Sequence, residues 1–188
     1  MKENKKRREG KWSITLITLL IVMALLPRTS FSKVYLTREE ALKKVFPEGD
    51  KTSKKIIRLN KEQKKRIAQK TGHSISFNYK AVYIVENGGK RLGYGIIDQV
   101  KGKERFMKYL VGIDSDGKIK GIEVLTYNET HGSEIRHEHF KKQFIGKGGQ
   151  DPLRLGVDID AITGATISCR SITEGVRKIV SFWQEFFG

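Results

Sequence analysis

Ser74-Ile75-Ser76-Phe77-Asn78-Tyr79-Lys80-Ala81-Val82-Tyr83-Ile84-Val85-Glu86-Asn87-Gly88-Gly89 decides the fold. Ile75, Phe77, Tyr79, Ala81, Tyr83 and Val85 recur at every second position, the period of a strand with one face buried. Asn87-Gly88-Gly89 supplies residues that tolerate positive φ, so the strand runs into a hairpin. Leu92, Tyr94, Ile96 and Ile97 give the returning strand. Arg105 to Ile113 gives a third, Asp116-Gly117 a turn, and Ile119 to Tyr127 a fourth. Short strands joined by tight turns pair antiparallel.

Helices flank this sheet. Thr37-Arg38-Glu39-Glu40 reads as a capping box opening a short helix, with Ala41, Leu42, Val45 and Phe46 on one face and Pro47 at its end. Asn60-Lys61-Glu62-Gln63 repeats the capping logic for a helix that stops near Gly72. Ile135 to Ile145 is helical in composition, and Gly146-Lys147-Gly148-Gly149 breaks it. Ile172, Val176, Ile179, Val180, Trp183 and Phe187 share one face of a final helix. The expected class is α+β, an antiparallel sheet flanked by helices. The expected division is an export or anchor segment (1–32), a basic helical arm (33–73) and a main domain (74–188).

The chain has 188 residues and a net charge of +16. Lys2, Lys5, Lys6, Arg7, Arg8 and Lys11 precede an uncharged run from Ser13 to Leu26. A basic head and a short apolar middle describe a secretory signal cleaved after Ser32, or an uncleaved N-terminal anchor with its basic end inside. Either places the remainder outside the cytoplasm, facing the periplasm or cell exterior, and membrane association is the favoured form. Beyond residue 32 the chain keeps 30 Lys and Arg against 19 Asp and Glu. Lys51, Lys54, Lys55, Arg58, Lys61, Lys64, Lys65, Arg66 and Lys70 supply much of this excess. For an exported chain the surplus suits anionic lipid or an acidic redox partner rather than nucleic acid.

Cys169 is the single cysteine, which excludes an intramolecular disulfide and thiolate metal clusters; it reads as a small apolar packer. His131, His137 and His139 lie near Glu134 and Glu138. But His137 and His139 point apart on either a strand or a helix, so solvated side chains are the expectation rather than a metal site. No Gly-x-Gly-x-x-Gly follows a strand, so nothing points to a dinucleotide fold. No nucleophile–base pair for hydrolysis is evident.

Asp160-Ala161-Ile162-Thr163-Gly164-Ala165-Thr166 precedes the final helix. Gly164 lets a bulky group approach the main chain. Ala165 adds almost no side chain, and Thr166 supplies a hydroxyl that needs outside activation to react. A helix N-terminus favours phosphate through its free N–H groups and dipole. The same residues also read as an ordinary turn, with Asp160 or Thr166 as helix cap.

This motif resembles the Asp-x-x-Ser/Thr-Gly-Ala-Thr pattern of the FMN-binding domain family. Its members include the C subunit of the sodium-translocating NADH:quinone reductase, the G subunit of the Rnf complex and smaller membrane-anchored flavoproteins. Gly112 to Leu125 is similar to the family's central hairpin. Glu129-Thr130-His131-Gly132 is similar to its Glu-Thr-x-Gly, and Phe140 with Gln143-Phe144-x-Gly146-Lys147 to a helix end in the anchored members. The resemblance implies FMN joined through its phosphate to Thr166 by a flavin transferase. It also implies a docking loop of Asp160, Thr163, Gly164 and Ala165, with Glu129, Thr130 and Gly132 lining the flavin ring. It implies an electron carrier that serves a redox partner protein or a membrane electron-transfer complex, rather than a stand-alone catalyst. Thr163 stands for the commoner Ser, and His131 and Ser133 depart from the usual Pro and Leu. An exported binding module and a non-covalent flavin reductase are the competing readings.

Overall fold

A computed structural model describes residues 34–127 and 133–188. The expected export or anchor segment lies outside the described residues. The described elements run α1 (Arg38–Val45), β1 (Lys51–Arg58), α2 (Lys61–Thr71), β2 (Tyr79–Asn87), β3 (Lys90–Lys101), β4 (Phe106–Asp114), β5 (Ile119–Thr126), a 3₁₀ turn (Ser133–Arg136), α3 (Glu138–Lys142) and α4 (Thr166–Phe186). The sheet is a five-stranded antiparallel meander in the order β1-β2-β3-β4-β5. The α+β class read from the sequence is therefore observed.

Local chemistry sets the element ends as expected. Thr37 and Glu40 form the reciprocal capping box of α1, and Asn60 and Gln63 that of α2. Gly72 ends α2 in the left-handed conformation, at φ 72°. Asn87 pairs with Lys90 across Gly88 and Gly89, both at positive φ. That is the turn chemistry a twisted hairpin requires.

Three expectations are corrected. The stretch read as a helical arm contains strand β1, which pairs with β2 over eight residues from Lys51↔Glu86 to Arg58↔Tyr79. β1 is nearly all exposed, so no alternating apolar pattern marked it. The strand expected from Ser74 begins at Tyr79; Ile75 and Phe77 pack against the core without joining the sheet. The helix expected over 135–145 is broken into the 3₁₀ turn and α3, with His137 between them as the N-cap of α3.

Each sheet face carries its own cluster. Tyr83, Val85, Leu110 and Leu125 meet Ala41, Leu42 and Val45 of α1 and its C-cap Phe46. The neighbouring residues Val82, Tyr109, Val111, Ile122 and Val124 point to the other face. There they pack with Cys169, Ile172, Val176, Ile179 and Val180 of α4. β4 is thus buried on both sides, as its run Tyr109-Leu110-Val111-Gly112-Ile113 shows. A fully buried Tyr109 hydroxyl donates to Asp98 Oδ2 at 3.1 Å, and Lys80 pairs with the other Asp98 oxygen. Burial first, and then the Asp98 charge, push the Tyr109 hydroxyl well above its ordinary pKa.

Glycine sets how closely α1 approaches the sheet. A Cβ on Gly112 would lie 2.3 Å from Val45 Cγ1, and one on Gly95 would lie 2.4 Å from Leu42 Cδ2. Gly112→Ala therefore lowers stability by about 1–3 kcal/mol through overpacking, more than the ~0.5–1 kcal/mol that alanine returns in backbone entropy. Urea unfolding checks this. The loss shrinks in a Val45→Ala background, because the clashing methyl is gone.

Candidate functional site

The site is built where α4 begins. Thr166 is the first residue of that 21-residue helix, and Ala165 is its N-cap with no side-chain cap bond. Neither Asp160 nor Thr166 caps the helix, although the motif does form a turn, in which the Ala165 N–H donates to the Ile162 carbonyl at 2.9 Å. Without a side-chain acceptor, the first-turn N–H groups keep their preference for an anion. Thr163, Gly164 and Thr166 are exposed, whereas Ala165 is buried. Gly164 sits at φ 82°, and a Cβ there would meet nothing within 4 Å. Open space therefore surrounds the loop just before an exposed hydroxyl, and the residues fit a bulky phosphoester.

Anchors outside the motif hold it. Gln143, which ends α3, accepts from the Asp160 N–H at 2.7 Å and donates to the Asp160 carbonyl at 3.4 Å. The main chain of Asp160 is thus the fixed part, while the residue stays exposed. Asp158 accepts from the N–H groups of Leu153 (3.1 Å) and Arg154 (2.7 Å), and Lys147 Nζ lies 3.2 Å from it. This staple holds Leu153 at φ 46°, a conformation that a side chain of its size avoids. Tyr127 and Ser168 share a buried hydroxyl–hydroxyl bond of 3.3 Å, which joins the end of β5 to the first turn of α4. Sequence reading missed Gln143, Asp158, Tyr127 and Ser168 as anchors. The Gln143…Lys147 pattern was the one available signal, and its physical meaning lies in these bonds.

Cys169 is fully buried in the first turns of α4, as a packing residue should be. Burial pushes its thiol up, against hydrogen bonding at the Ile162 and Cys169 main chain. His137 and His139 are exposed. Glu129, Thr130 and Gly132, expected beside the flavin ring, lie outside the described residues, as does His131.

Fold and site together define an α+β domain with an accessible threonine at an uncapped helix start. Residues 102–181 match the family model of the FMN-binding domain, the family the motif resembles. The chain is 31% identical over 114 residues to the G subunit of the proton-translocating ferredoxin:NAD(+) oxidoreductase complex of Clostridium ljungdahlii, covering 56% of this chain and 61% of that one. It is 30% identical over 129 residues to the G subunit of the Na(+)-translocating ferredoxin:NAD(+) oxidoreductase complex of Acetobacterium woodii, covering 63% and 62%. The chain thus spans about three fifths of these relatives' length. Two crystal structures share the fold at a TM-score of 0.54. One is the C subunit of the Na(+)-translocating NADH-quinone reductase from Parabacteroides distasonis, at 16% identity, covering 82% of this chain and 85% of that one. The other is NqrC from Shewanella oneidensis, at 20% identity, covering 81% and 88%.

Two outcomes follow. Native protein leaves Cys169 unmodified by a thiol reagent under conditions where unfolded protein reacts fully. Asp158 has its pKa lowered: burial opposes ionisation, but the Arg154 N–H, Lys147 and the Leu153 N–H outweigh it. Its stabilisation is therefore present above the ordinary aspartate pKa and is lost as pH falls through the lowered value. Asp158→Asn lowers stability at neutral pH and flattens the acid limb of the stability profile below about pH 4.

Proposed function

We propose that this chain is a membrane-associated, extracytoplasmic electron-transfer flavoprotein that carries FMN on Thr166 through a phosphoester. The observation that carries the proposal is the exposed Thr166 hydroxyl on the first turn of an uncapped helix, after a left-handed Gly164 in open space. The match of residues 102–181 to the FMN-binding domain supports FMN as the group. The named complexes of the relatives support service within, or beside, an Rnf- or Nqr-type membrane assembly. When bound, FMN supplies one- or two-electron transfer; the protein supplies placement and electrostatics.

Each residue then has a task. Thr166 Oγ would become the bridging oxygen to phosphorus as the donor's own P–O bond breaks, with the donor's leaving group departing from phosphorus and the hydroxyl proton passing to a base. The motif holds no base to take that proton, so activation belongs to a flavin transferase. The first-turn N–H groups and the α4 dipole stabilise the phosphodiester's negative charge. Gly164 leaves the approach clear. Gln143 and Asp158 hold the chain that leads into it. Glu129, Thr130 and Gly132 are proposed to contact the ring. A bond in place of a dissociation equilibrium keeps the carrier loaded where free flavin is scarce. The basic surface on β1 and α2 suits anionic lipid headgroups or an acidic redox partner, and its attraction is screened over about 8 Å at physiological salt.

Intact-mass spectrometry under denaturing conditions, on protein co-expressed with a flavin transferase, tests the attachment. The expected mass increase is that of FMN less water. Thr166→Ala abolishes it and Thr166→Ser keeps it. Colour lost on unfolding would instead mean reversible binding, and steady NAD(P)H turnover by the isolated protein would favour a reductase.

A further inference from the structure

The C-terminal end of α2, the loop through Arg154 and the middle turns of α4 border an open cleft of about 350 Å³. Arg154, Arg170, Arg177, His73, Glu174 and Thr173 line it. Three arginines therefore border the cleft beside one glutamate, and Glu174 already lies 3.8 Å from His73 Nε2. Arg177 donates through Nη2 to the carbonyl of Thr71, at the end of α2. Its Nε is buried with no acceptor among the described residues. Neither Arg154 nor Arg170 pairs with a carboxylate among the described residues.

Like charges brought together cost stability unless something answers them. Burial, and after it the nearby Arg154 charge, holds Arg177 below the ordinary arginine range. The cleft is also built in advance. Asp158 fixes the Arg154 main chain, Thr71 holds Arg177, and Arg170 rides on a helix whose opposite face is core. Guanidinium forks carried on this framework suit the tetrahedral oxygens of phosphate, since each can donate two parallel bonds.

We infer that this cleft is a binding site for a phosphate group. Two sources fit that chemistry: a free phosphate-bearing ligand, or the flavin phosphate itself, since Thr166 sits one helical turn before Arg170. The inference holds for flavin-free protein and does not require attachment at Thr166.

The test titrates inorganic phosphate into flavin-free, full-length protein by calorimetry, with chloride balancing ionic strength. Saturable single-site binding is expected. Arg154→Gln/Arg170→Gln weakens it at least tenfold while the melting temperature shifts little. Arg170→Lys, which keeps the charge but loses the fork, weakens it severalfold and covers the case where the double variant folds poorly. Repeating the titration on flavin-loaded protein separates the sources. Retained binding assigns a free ligand, and lost binding assigns the flavin phosphate. Non-saturable binding, or equal affinity in all variants, means an adventitious ion only and overturns the inference. Flavin attachment is read separately by mass, so failure of one does not imitate failure of the other.

Discussion

The seating of α4 on the sheet is the constraint on which the rest depends. Cys169, Ile172, Val176, Ile179, Val180 and Trp183 lie in one buried stripe. Burying an aliphatic or aromatic side chain contributes roughly 1.5–3 kcal/mol. The stripe therefore fixes both the rotation and the axial position of the helix. Once those are fixed, Thr166 has one place to be: the exposed first turn, at the end where the helix dipole is positive. The core thus determines where the hydroxyl is presented, although the hydroxyl itself touches nothing in it.

The chain leading into the motif is strained at Leu153 and the motif itself is open, and the fold compensates for both. Leu153 at positive φ and an uncapped helix start each cost free energy that a purely structural loop could avoid. The compensation comes from polar contacts placed one layer away: Gln143 on the Asp160 main chain, the Asp158–Lys147 pair, and Tyr127 with Ser168. These groups hold the approach to Thr166 without occupying it. A cap residue such as Ser at position 165 would satisfy the helix start that Ala165 leaves without a side-chain cap.

How much was legible in the sequence follows from the range of each interaction. The capping boxes at Thr37 and Asn60, the Gly72 stop and the 87–90 hairpin are local, and each was readable from residues within four positions of one another. The α4 stripe was readable because its period is that of a helix. β1 was not, because Lys51-Thr52-Ser53-Lys54-Lys55 carries no apolar alternation. That strand exists by pairing with β2, and its lysines guard an open sheet edge. The helix over 135–145 was overextended because composition does not register the break at His137. Of the site, Thr166 and its loop were visible as a pattern. Their supports were not, since Gln143 lies 17 residues from Asp160 and Tyr127 lies 41 from Ser168. Arg154 and Arg177 likewise meet only through the fold.

Peptide mapping of protein isolated from its native source tests the central claim most directly. The account predicts that the fragment containing Thr166 carries a flavin phosphate and that every other Thr and Ser fragment is bare. An unmodified Thr166 fragment in quantitative yield, from protein that is otherwise mature, would contradict it.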